Sequence, residues 1–418
     1  MRIASIAART IRWSIASRGA ARGRTERAAV ILEVRGDAGV VGIGEAAPLP
    51  GMSPDTLGDA ERAIAAFARC APFELADREA VYAAAALAAG SPATAAPAIR
   101  SATTTASAFA TTAAAAATCS PAARFAVETA LLDALARERG TSLAALLGPP
   151  VGGGATRPHV GARRSVRHGE FASIHTSHAG HAGTVPLAAV VDDPEAARRA
   201  FAVGIRCLKI KLGATDDPSR VFAIAAAAPG ARLRIDANRA WPRAEVAARL
   251  AALAALPIDY VEEPCAEAHL LVAEPLPCQI ALDESLAVIA PDELRAALRG
   301  PALAALVLKP TVVGGLSAVL ALSELARRAG VAAIVSHGLE GPVGTAACAE
   351  LALALGGEHA VGLAAHPALA GWLLEVPQLA PDRVHPAASP GLGFVDLDLA
   401  GVVRACGERV ERGACDDR

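Results

Sequence analysis

The sequence predicts an α/β fold, a modified TIM-type (β/α) barrel with an α+β capping domain at its N-terminal end. Two observations predict this class. From residue 186 onward, short apolar runs that read as strands alternate with helical stretches rich in alanine and leucine. Before them, residues 1–45 read as strands, and helical sequence follows. Eight strands that alternate with helices are typical of a closed parallel barrel, whereas consecutive strands indicate a separate α+β unit.

The predicted capping domain covers residues 1–147. Glycine and aspartate at 36–39 indicate a turn between two of its strands. Alanine-rich sequence from 55 to about 89 predicts helix. The expected strands are 3–15, 28–35 and 40–45.

Two further features complete the predicted capping domain. An alanine-, threonine- and serine-rich tract at about 91–120 is interpreted as a surface insertion. Ser120 and Pro121 are typical of a helix start, as a cap and a first-turn proline. That helix is expected to end near Gly140, and a shorter helix to end at Leu147.

The barrel is predicted over residues 186–373. An irregular segment rich in Gly, Arg and His precedes it at 148–185. Its histidines could bind a metal, but no acid or cysteine converges on them, so we interpret it as a linker or insertion. Residues 374–418 are expected to return to the capping domain. The candidate barrel strands are 187–191, 207–212, 233–237, 260–262, 279–282, 305–308, 332–336 and 361–365.

Composition limits the functional classes. A formal charge of −2 and a pI near 6.6 argue against nucleic acid or an anionic membrane as the main partner. No apolar run approaches the length of a membrane span. The eight cysteines are scattered without a C-x-x-C pair, which favours reduced thiols in the cytoplasm over disulfides or zinc. Composition leaves the oligomeric state open.

Lysine is unusually scarce in this chain. Of its 40 basic residues, only Lys209, Lys211 and Lys309 are lysines. Arginine stays protonated in proteins, whereas a lysine ammonium can lose its proton when it is buried or near another cation. Lys209 and Lys211 are two residues apart on a predicted strand, so both point to one face and should lower each other's pKa. We interpret all three lysines as catalytic; a solvated strand edge is the alternative for the pair.

Three carboxylates mark the ends of successive predicted strands. Asp236, Glu262 and Asp283 lie between Lys211 and Lys309 at steps of 21 to 26 residues, about one strand–helix unit each. Barrel enzymes carry their sites at strand C-terminal ends, and three carboxylates at one mouth repel each other without a cation. Oxygen donors favour a hard ion, so the pattern predicts a Mg²⁺ or Mn²⁺ site. A ring of structural salt bridges to arginines is the alternative.

Two glutamates directly follow these predicted ligands. Because side chains alternate along a strand, Glu263 and Glu284 are expected to point away from the ion and to support its ligands. A cation between lysines from opposite sides of a barrel suits acid–base chemistry on a small-molecule carboxylate. The cation would hold the carboxylate while a lysine removes the proton from the adjacent carbon.

A loop rich in glycine and proline follows the third predicted strand. We interpret it as a mobile lid over the barrel mouth, since irregular loops between rigid elements often carry binding residues. A plain connection into the next helix is the alternative. The residues of this predicted lid are Pro48, Leu49, Pro50, Gly51, Met52 and Ser53.

Five ordered motifs resemble those of the enolase superfamily, and specifically its muconate-lactonising subgroup. The resemblance implies that Asp236, Glu262 and Asp283 bind Mg²⁺, that Lys211 acts as base and then acid, and that Lys309 faces it as a stabilising cation. It extends over nearly the whole chain apart from the two insertions. The motifs are Lys209-Ile210-Lys211, Asp236-Ala237-Asn238, Glu262-Glu263-Pro264, Asp283-Glu284-Ser285 and Lys309-Pro310.

Within the superfamily, the chain most resembles the o-succinylbenzoate synthase family of menaquinone biosynthesis. Residues 44–53, 234–241, 262–265 and 336–344 carry this resemblance, although 336–342 departs from the serine-rich pattern common there. It implies a lyase that dehydrates 2-succinyl-6-hydroxy-2,4-cyclohexadiene-1-carboxylate through an enediolate. The implied substrate contacts are Arg234, Asn238, Ser336, Gly338 and Glu340.

Two other functions remain open at this point. An N-acylamino acid racemase could use the same two opposed lysines to exchange a proton on either face of a carbon. A catalytically idle barrel kept as a binding or structural protein is a different class, and the retention of Lys211 and Lys309 counts against it. Residues 362–367 lack the D-x-D of dipeptide epimerases, which counts against that activity.

Overall fold

The computed structural model describes residues 1–15, 25–88, 120–148 and 183–406. The predicted insertion at about 91–120 lies outside the described residues except for Ser120. The predicted linker at 148–185 also lies outside them, apart from its ends at 148 and 183–185. Residues 407–418 of the predicted C-terminal segment are not among the described residues.

A four-stranded antiparallel sheet begins the chain. The order of its strands is β3-β2-β1-β4, and Ile11 of β1 pairs with Ala29 of β2. The turn predicted at 36–39 joins β2 to β3, with Gly39 in the left-handed region at a φ of 81°. The three long strands confirm the predicted ones to within two residues. The bounds are β1 (Arg2–Ser14), β2 (Glu26–Gly36), β3 (Val41–Ala46) and β4 (Phe73–Glu74).

The helical sequence predicted from 55 to about 89 is confirmed except for an interruption near its middle. The structure has two helices, Leu57–Ala68 and Arg78–Ala88, separated by strand β4. Pro72 has no backbone N–H to continue a helix, and the next residue, Phe73, pairs with Ile3 of β1. The first helix begins at a capping box in which Thr56 accepts from Asp59 N.

The helix Pro121–Glu138 packs directly against strand β3. Ser120 caps it, as predicted, by accepting from Ala123 N at 3.1 Å. A Cβ at Gly42 or Gly44 would lie 2.1 or 2.0 Å from a backbone oxygen of this helix. Only glycine therefore allows the helix to lie this close to β3. The short helix Leu143–Leu147 follows.

Seven parallel strands form the barrel wall in the order β12-β11-β10-β9-β8-β7-β6. Val361 pairs with Leu187 beside β6, and Gly362 pairs with Ser336 beside β12. Val361 and Gly362 therefore close the ring between the two edge strands of the sheet. The predicted eighth strand at 361–365 is therefore wrong in extent, because only these two residues form bridges. The strands are β6 (Ala188–Val190), β7 (Cys207–Lys211), β8 (Arg232–Asp236), β9 (Ile258–Glu262), β10 (Ile280–Leu282), β11 (Leu303–Leu308) and β12 (Ala332–Val335).

Helices surround the strands, and short 3-10 helices follow several of them. A two-stranded sheet pairs β5 (Val185–Pro186) with β13 (Arg383–Val384) next to the barrel. The α-helices are Pro194–Ala202, Ser219–Ala227, Val246–Leu253, Ala268–Leu271, Pro291–Ala297, Pro310–Val313, Leu316–Ala329, Pro342–Leu355 and Leu399–Ala405. The 3-10 helices are Arg243–Glu245, Glu284–Ala287 and Pro367–Leu369.

Side-chain alternation on β7 shows how the strands separate the site from the core. Leu208 and Ile210 are fully buried in the core between strands and helices, where each contributes roughly 1.5–3 kcal/mol. Lys209 and Lys211 point to the opposite face, into the barrel. A small apolar cluster fills the barrel interior below them, formed by Tyr260, Ala281, Ala305, Val307 and Ile334.

The C-terminal segment contacts the capping domain at several points. Leu399 N donates to Glu33 Oε2 at 2.8 Å, and Leu392 N donates to Asp133 Oδ1 at 2.8 Å. Arg137 donates to the Phe394 carbonyl at 3.0 Å. A C-terminal segment that returns to the capping domain, as predicted, would make contacts of this kind. No helix in the described part of the chain has the length and apolar character needed to cross a membrane.

Candidate active site

The carboxyl ends of the barrel strands and the loop after β3 enclose a cavity of about 240 Å³. Residues as far apart in the sequence as Leu49 and Pro367 meet in its wall, because parallel strands bring their ends to one edge. The predicted site residues that line it are Leu49, Gly51, Met52, Lys209, Lys211, Arg234, Asp236, Asn238, Glu262, Lys309 and Ser336.

Lys209 joins two of the predicted metal ligands. The parallel register places Lys211 beside Asp236 and Asp236 beside Glu262. The Lys209 ammonium lies 2.9 Å from Asp236 Oδ2 and 2.8 Å from Glu262 Oε2. One cation therefore holds together two buried carboxylates that would otherwise repel each other.

Lys309 and Asp283 form a second buried ion pair, with the ammonium in direct contact with Asp283 Oδ2. On the other side of the barrel, Lys211 Nζ lies 3.5 Å from Asn238 Oδ1. Lys211 belongs to the second strand of the barrel and Lys309 follows the sixth. In a ring of eight positions these two are opposite each other, so the two lysines face one cavity from opposite sides.

The predicted lowering of the lysine pKa is wrong for Lys209. Burial opposes the charge of Lys209, but Asp236, Glu262 and Asp283 outweigh it and raise its pKa well above the ordinary value. Burial likewise opposes the charge of Lys309, yet nearby carboxylates raise its pKa too. Attraction to the acids is stronger than repulsion between ammonium groups, because the nearest acids are in direct contact.

The carboxylates respond to the same field in different directions. Burial raises the pKa of Glu262 to about 8, and the neighbouring Asp236 and Asp283 add to this although Lys209 opposes it. Burial also raises the pKa of Asp283 against the effect of Lys309. For Asp236, Lys209 and Lys211 outweigh burial and lower the pKa. Burial is thus the largest cause of the raised values, and the nearby lysines prevail over it only at Asp236.

The donor chemistry of this group fits a hard divalent cation. Asp236, Glu262 and Asp283 are at least 96% buried and supply only carboxylate oxygens, and Glu284 Oε2 is a buried oxygen without a hydrogen-bond partner among the described residues. Across the described ranges, no three acidic, histidine or cysteine side chains already surround a single point. The ammonium of Lys209 lies between two of the carboxylates, so the Mg²⁺ or Mn²⁺ site stays a prediction.

The two supporting glutamates behave differently from each other. Glu263, at a φ of 42°, accepts from Asp283 N, Ser285 N and Ser285 Oγ at 2.8 to 2.9 Å and so holds the turn that carries Asp283. Glu284 does not point away from the site as predicted, because it accepts from Asn238 Nδ2 at 3.3 Å. Strand β10 ends at Leu282, so strand alternation no longer applies at Glu284.

The predicted substrate contacts divide into two groups. Asn238 and Ser336 line the cavity. Arg234 also lines it, but its guanidinium donates to Ala360 O at 2.7 Å, deeper in the barrel. Gly338 and Glu340 are absent from the cavity lining, and Glu340 is fully buried behind the loop, where it accepts from Gly338 N at 2.6 Å. The structure therefore places Gly338 and Glu340 outside the cavity wall, although Leu339 between them lines it, and their contact with a substrate stays a prediction.

Sequence reasoning missed two histidines in the cavity wall. His337 and His366 stack with ring centroids 3.9 Å apart and an interplanar angle of 30°. His337 occupies part of the loop where the sequence departs from the serine-rich family pattern, and this departure was the available signal. No local pattern marked His366, since its partner lies 29 residues earlier.

The predicted lid lies at the barrel mouth. Leu49, Gly51 and Met52 line the cavity, and Met52 Sδ is 3.4 Å from Lys309 Nζ. Ser53 Oγ accepts from Leu49 N at 2.8 Å, which closes the loop on itself. The loop therefore contributes a wall to the cavity; that it opens and closes stays a prediction.

A buried arginine and a buried glutamate from the cap join this loop to the barrel, and sequence reasoning missed both. Arg27 donates to the carbonyls of Ala47 and Pro48 at 2.7 and 2.8 Å, and to that of Leu339 at 3.0 Å. Glu45 accepts from two backbone N–H groups at the start of the helix Pro342–Leu355, those of residues 341 and 344, at 2.6 and 2.8 Å.

Two family models match the chain. Residues 6–148 match the mandelate racemase / muconate lactonizing enzyme N-terminal domain, and residues 192–398 match the enolase C-terminal domain-like model. The two matches together span most of the sequence and coincide with the cap and the barrel.

Curated relatives are similar over part of the chain. An o-succinylbenzoate synthase of Mycobacterium tuberculosis is 38% identical over 189 residues, which cover 43% of this chain and 55% of that protein. One of Yersinia pseudotuberculosis is 33% identical over 214 residues, covering 48% and 54%. The chain thus spans about half the length of the curated relatives it matches.

Solved structures share the fold over nearly the whole chain. A muconate lactonizing enzyme from Pseudomonas putida has a TM-score of 0.70 at 22% identity and covers 96% of this chain and 99% of its own. A dipeptide epimerase from Enterococcus faecalis has a TM-score of 0.69 at 20% identity, covering 94% and 99%. Both domains are matched, four of the five motifs line one cavity, and Asp283 of the fifth contacts Lys309, so the chain belongs to the mandelate racemase / muconate lactonizing enzyme family of the enolase superfamily.

Proposed function

We propose that the chain is an o-succinylbenzoate synthase, a Mg²⁺-dependent lyase that dehydrates 2-succinyl-6-hydroxy-2,4-cyclohexadiene-1-carboxylate. One observation carries this proposal: Lys211 and Lys309 face each other across a cavity whose wall holds buried carboxylates from successive strands. The similarity to o-succinylbenzoate synthases of 33–38% identity supports the choice of substrate. Cytoplasmic location and a place in menaquinone biosynthesis belong to the same proposal.

The residues of the cavity divide the chemistry between them. Asp236, Glu262 and Asp283 would hold Mg²⁺. When bound, the ion supplies positive charge beside the substrate carboxylate and lowers the pKa of the adjacent C–H group. Lys211 removes that proton, and the electron pair moves towards the carboxylate. Lys309 stays protonated, as its raised pKa favours, and stabilises the negative charge from the opposite side.

The second half of the reaction uses the same proton. Lys211 returns it to the hydroxyl group on the neighbouring ring carbon, the C–O bond breaks, and water leaves as the ring becomes aromatic. No oxidant or reductant is needed. The loop carrying Leu49 and Met52 covers the cavity and limits the access of bulk water to the charged intermediate.

An N-acylamino acid racemase is the second candidate, because two lysines on opposite sides can remove a proton from one face and return one to the other. A dipeptide epimerase among the similar structures shows that this fold also carries proton-exchange chemistry elsewhere. A catalytically idle barrel is the third candidate, and the buried ion pairs of Lys209 and Lys309 would then be purely structural.

The test compares two substrates with the purified full chain. Loss of the cyclohexadiene is followed by ultraviolet absorbance, and racemisation of an N-succinyl amino acid by polarimetry, each with Mg²⁺, with Mn²⁺, and after exhaustive chelation. We expect dehydration that disappears on chelation and returns with Mg²⁺. Racemisation alone would favour the second candidate, no turnover of either substrate would favour the third, and full activity after chelation would exclude the metal.

A further inference from the structure

We propose that His337 and His366 form a recognition subsite for the terminal carboxylate of the substrate's acyl chain. The inference rests on the proposed function for the identity of the ligand, whose ring carboxylate and chain carboxylate need two separate binding places. The ring carboxylate belongs at Asp236, Glu262 and Asp283. The histidine pair lies at the seventh and eighth positions of the barrel, in another part of the cavity wall.

The two rings come from different loops. His337 follows β12, and His366 caps the 3-10 helix Pro367–Leu369 after the bridging residues of the eighth position. Their stacking at 3.9 Å fixes both ring planes relative to each other. Both residues line the cavity, so the stack forms a rigid part of its wall.

Hydrogen bonds determine which ring nitrogens are free to meet a ligand. His337 Nδ1 accepts from Leu339 N at 3.2 Å, so the proton of the neutral ring is on Nε2, at the opposite edge. His366 Nε2 lies 3.4 Å from Thr345 Oγ1. His366 is 93% buried, and its Nδ1 has no hydrogen-bond partner among the described residues.

An unpaired buried nitrogen in a cavity wall indicates a missing partner, because buried polar atoms in folded proteins are nearly always hydrogen-bonded. One tautomer of His366 places its proton on Nδ1, with Thr345 Oγ1 donating to Nε2. The pair then offers two N–H donors. The neighbouring wall includes the apolar residues Leu339, Ala364 and Ala365. The hydroxyl of Ser336 in the same wall already donates to Gly362 O at 3.3 Å, so the two ring donors remain for a chain carboxylate.

Charge supports a neutral donor pair. Burial, His366 and three lysines hold the pKa of His337 well below its usual range, and burial lowers the pKa of His366 to about 3. Neutral donors bind a carboxylate without a second buried ion pair and its desolvation cost. Asp192, which follows the first strand, is an acid in the same cavity lining and would repel a carboxylate placed beside it.

The experiment is a binding comparison between two ligands in the presence of Mg²⁺. o-Succinylbenzoate carries the chain carboxylate, and 2-acetylbenzoate keeps the ring carboxylate and the ketone but lacks it. Calorimetry is performed on the full chain and on His337→Phe and His366→Phe, which keep a stacked ring and remove the donors. His269→Ala, outside the cavity lining, is the control.

We expect each Phe variant to bind o-succinylbenzoate roughly 10- to 100-fold more weakly, the effect of losing a hydrogen bond to a charged group. Binding of 2-acetylbenzoate should change less than threefold. His337→Gln retains a donor and should recover part of the loss, and it provides a second variant if a Phe variant does not fold.

The outcomes separate this subsite from the proposed function. Equal losses for both ligands, or a chain that binds neither, would overturn the subsite. A selective loss in a chain without dehydratase activity would retain the subsite and overturn the proposed reaction. Dehydratase activity without a selective loss would retain the reaction and overturn the subsite.

Discussion

At the scale of single residues, the three lysines have unequal surroundings. Lys209 and Lys309 are each bound to buried carboxylates that raise their pKa values. Lys211 is 3.5 Å from an amide oxygen of Asn238 and belongs to the opposite side of the cavity from Lys309. The raised pKa of Lys309 fits the permanent cation that the proposed reaction assigns to it.

Arginine substitutions test this division of roles. Lys211→Arg keeps the charge and removes the proton acceptor, because arginine has a pKa above about 12, so kcat should fall by roughly three orders of magnitude or more. Lys309→Arg should retain a measurable part of the dehydration, since it keeps the cation, but should abolish racemisation, which needs a second proton carrier. Steady-state rates with both substrates measure the difference.

The control for these variants is Arg9→Lys, an exposed basic residue on β1, which should leave both rates unchanged. An equal collapse of dehydration and racemisation in Lys309→Arg would contradict the one-base assignment. It would mean that Lys309 carries a proton in both reactions or that only lysine fits beside Asp283.

At the scale of elements, two loops meet through Arg27. Its guanidinium binds carbonyls on the cap loop and carbonyls on the loop after β12, and the residue is only 3% exposed. The first loop carries Met52 to Lys309, and the second carries His337 into the cavity. Arg27 therefore acts as a positioning residue for two cavity walls through the backbone of both loops.

Replacing Arg27 should reveal this coupling. Arg27→Ala leaves at least four carbonyl groups without their shared donor, and we expect kcat/KM to fall at least about tenfold through misplacement of the loops. Arg27→Lys should recover little, because an ammonium cannot reproduce a planar fork of donors. Mg²⁺ affinity, measured by calorimetry, should stay within about threefold, since the carboxylates lie on barrel strands.

The matched control is Arg9→Ala, which removes an exposed arginine from the same cap sheet. A variant with wild-type kinetics but a lower melting temperature would show that Arg27 only stabilises the fold. Loss of Mg²⁺ binding in parallel with loss of activity would also contradict the positioning role.

At the scale of the whole molecule, cap and barrel share one continuous hydrophobic core. Buried acids also form hydrogen bonds between cap and barrel. One of them is Glu45 of β3, which accepts from two backbone N–H groups at the start of the helix Pro342–Leu355. Burial raises the pKa of Glu45 to about 7, although the two N–H groups it binds lower it. The joint that positions the cap over the barrel therefore contains an acid that titrates near neutral pH.

The sign of the pH dependence follows from this shift. Between the ordinary value of 4.5 and about 7, folded Glu45 binds more protons than unfolded Glu45, so the free energy of unfolding falls as pH rises. The loss is complete above about pH 7 and amounts to roughly 3 kcal/mol at most. Glu45→Gln removes this titration and should gain stability relative to wild type between pH 5 and pH 8.

Chemical denaturation of both proteins at several pH values measures the difference. Glutamine makes weaker hydrogen bonds than glutamate at this position, which changes the free energy of unfolding by an amount that does not depend on pH. The prediction therefore concerns only the slope of the free energy of unfolding against pH. Parallel slopes for the two proteins would contradict the assignment of this titration to Glu45.

Local patterns in the sequence were enough to predict most of the barrel and the candidate site. Strand periodicity and helix caps depend on residues within one strand–helix unit, and the spacing of Lys211, Asp236, Glu262, Asp283 and Lys309 repeats about once per unit. The parallel register then brings these strand ends together, because each unit repeats the same geometry. This is why the positions of the lysines and acids around one cavity followed from their order along the chain.

Contacts between distant segments decided the rest. Arg27 and Leu339 are 312 positions apart, and the stack of His337 on His366 joins two loops of different units. The raised pKa values of the lysines and the direction of Glu284 depend on which groups lie beside them after folding. Such contacts have no periodic signature, because their energy comes from burial and from partners that only the tertiary structure brings within a few ångströms.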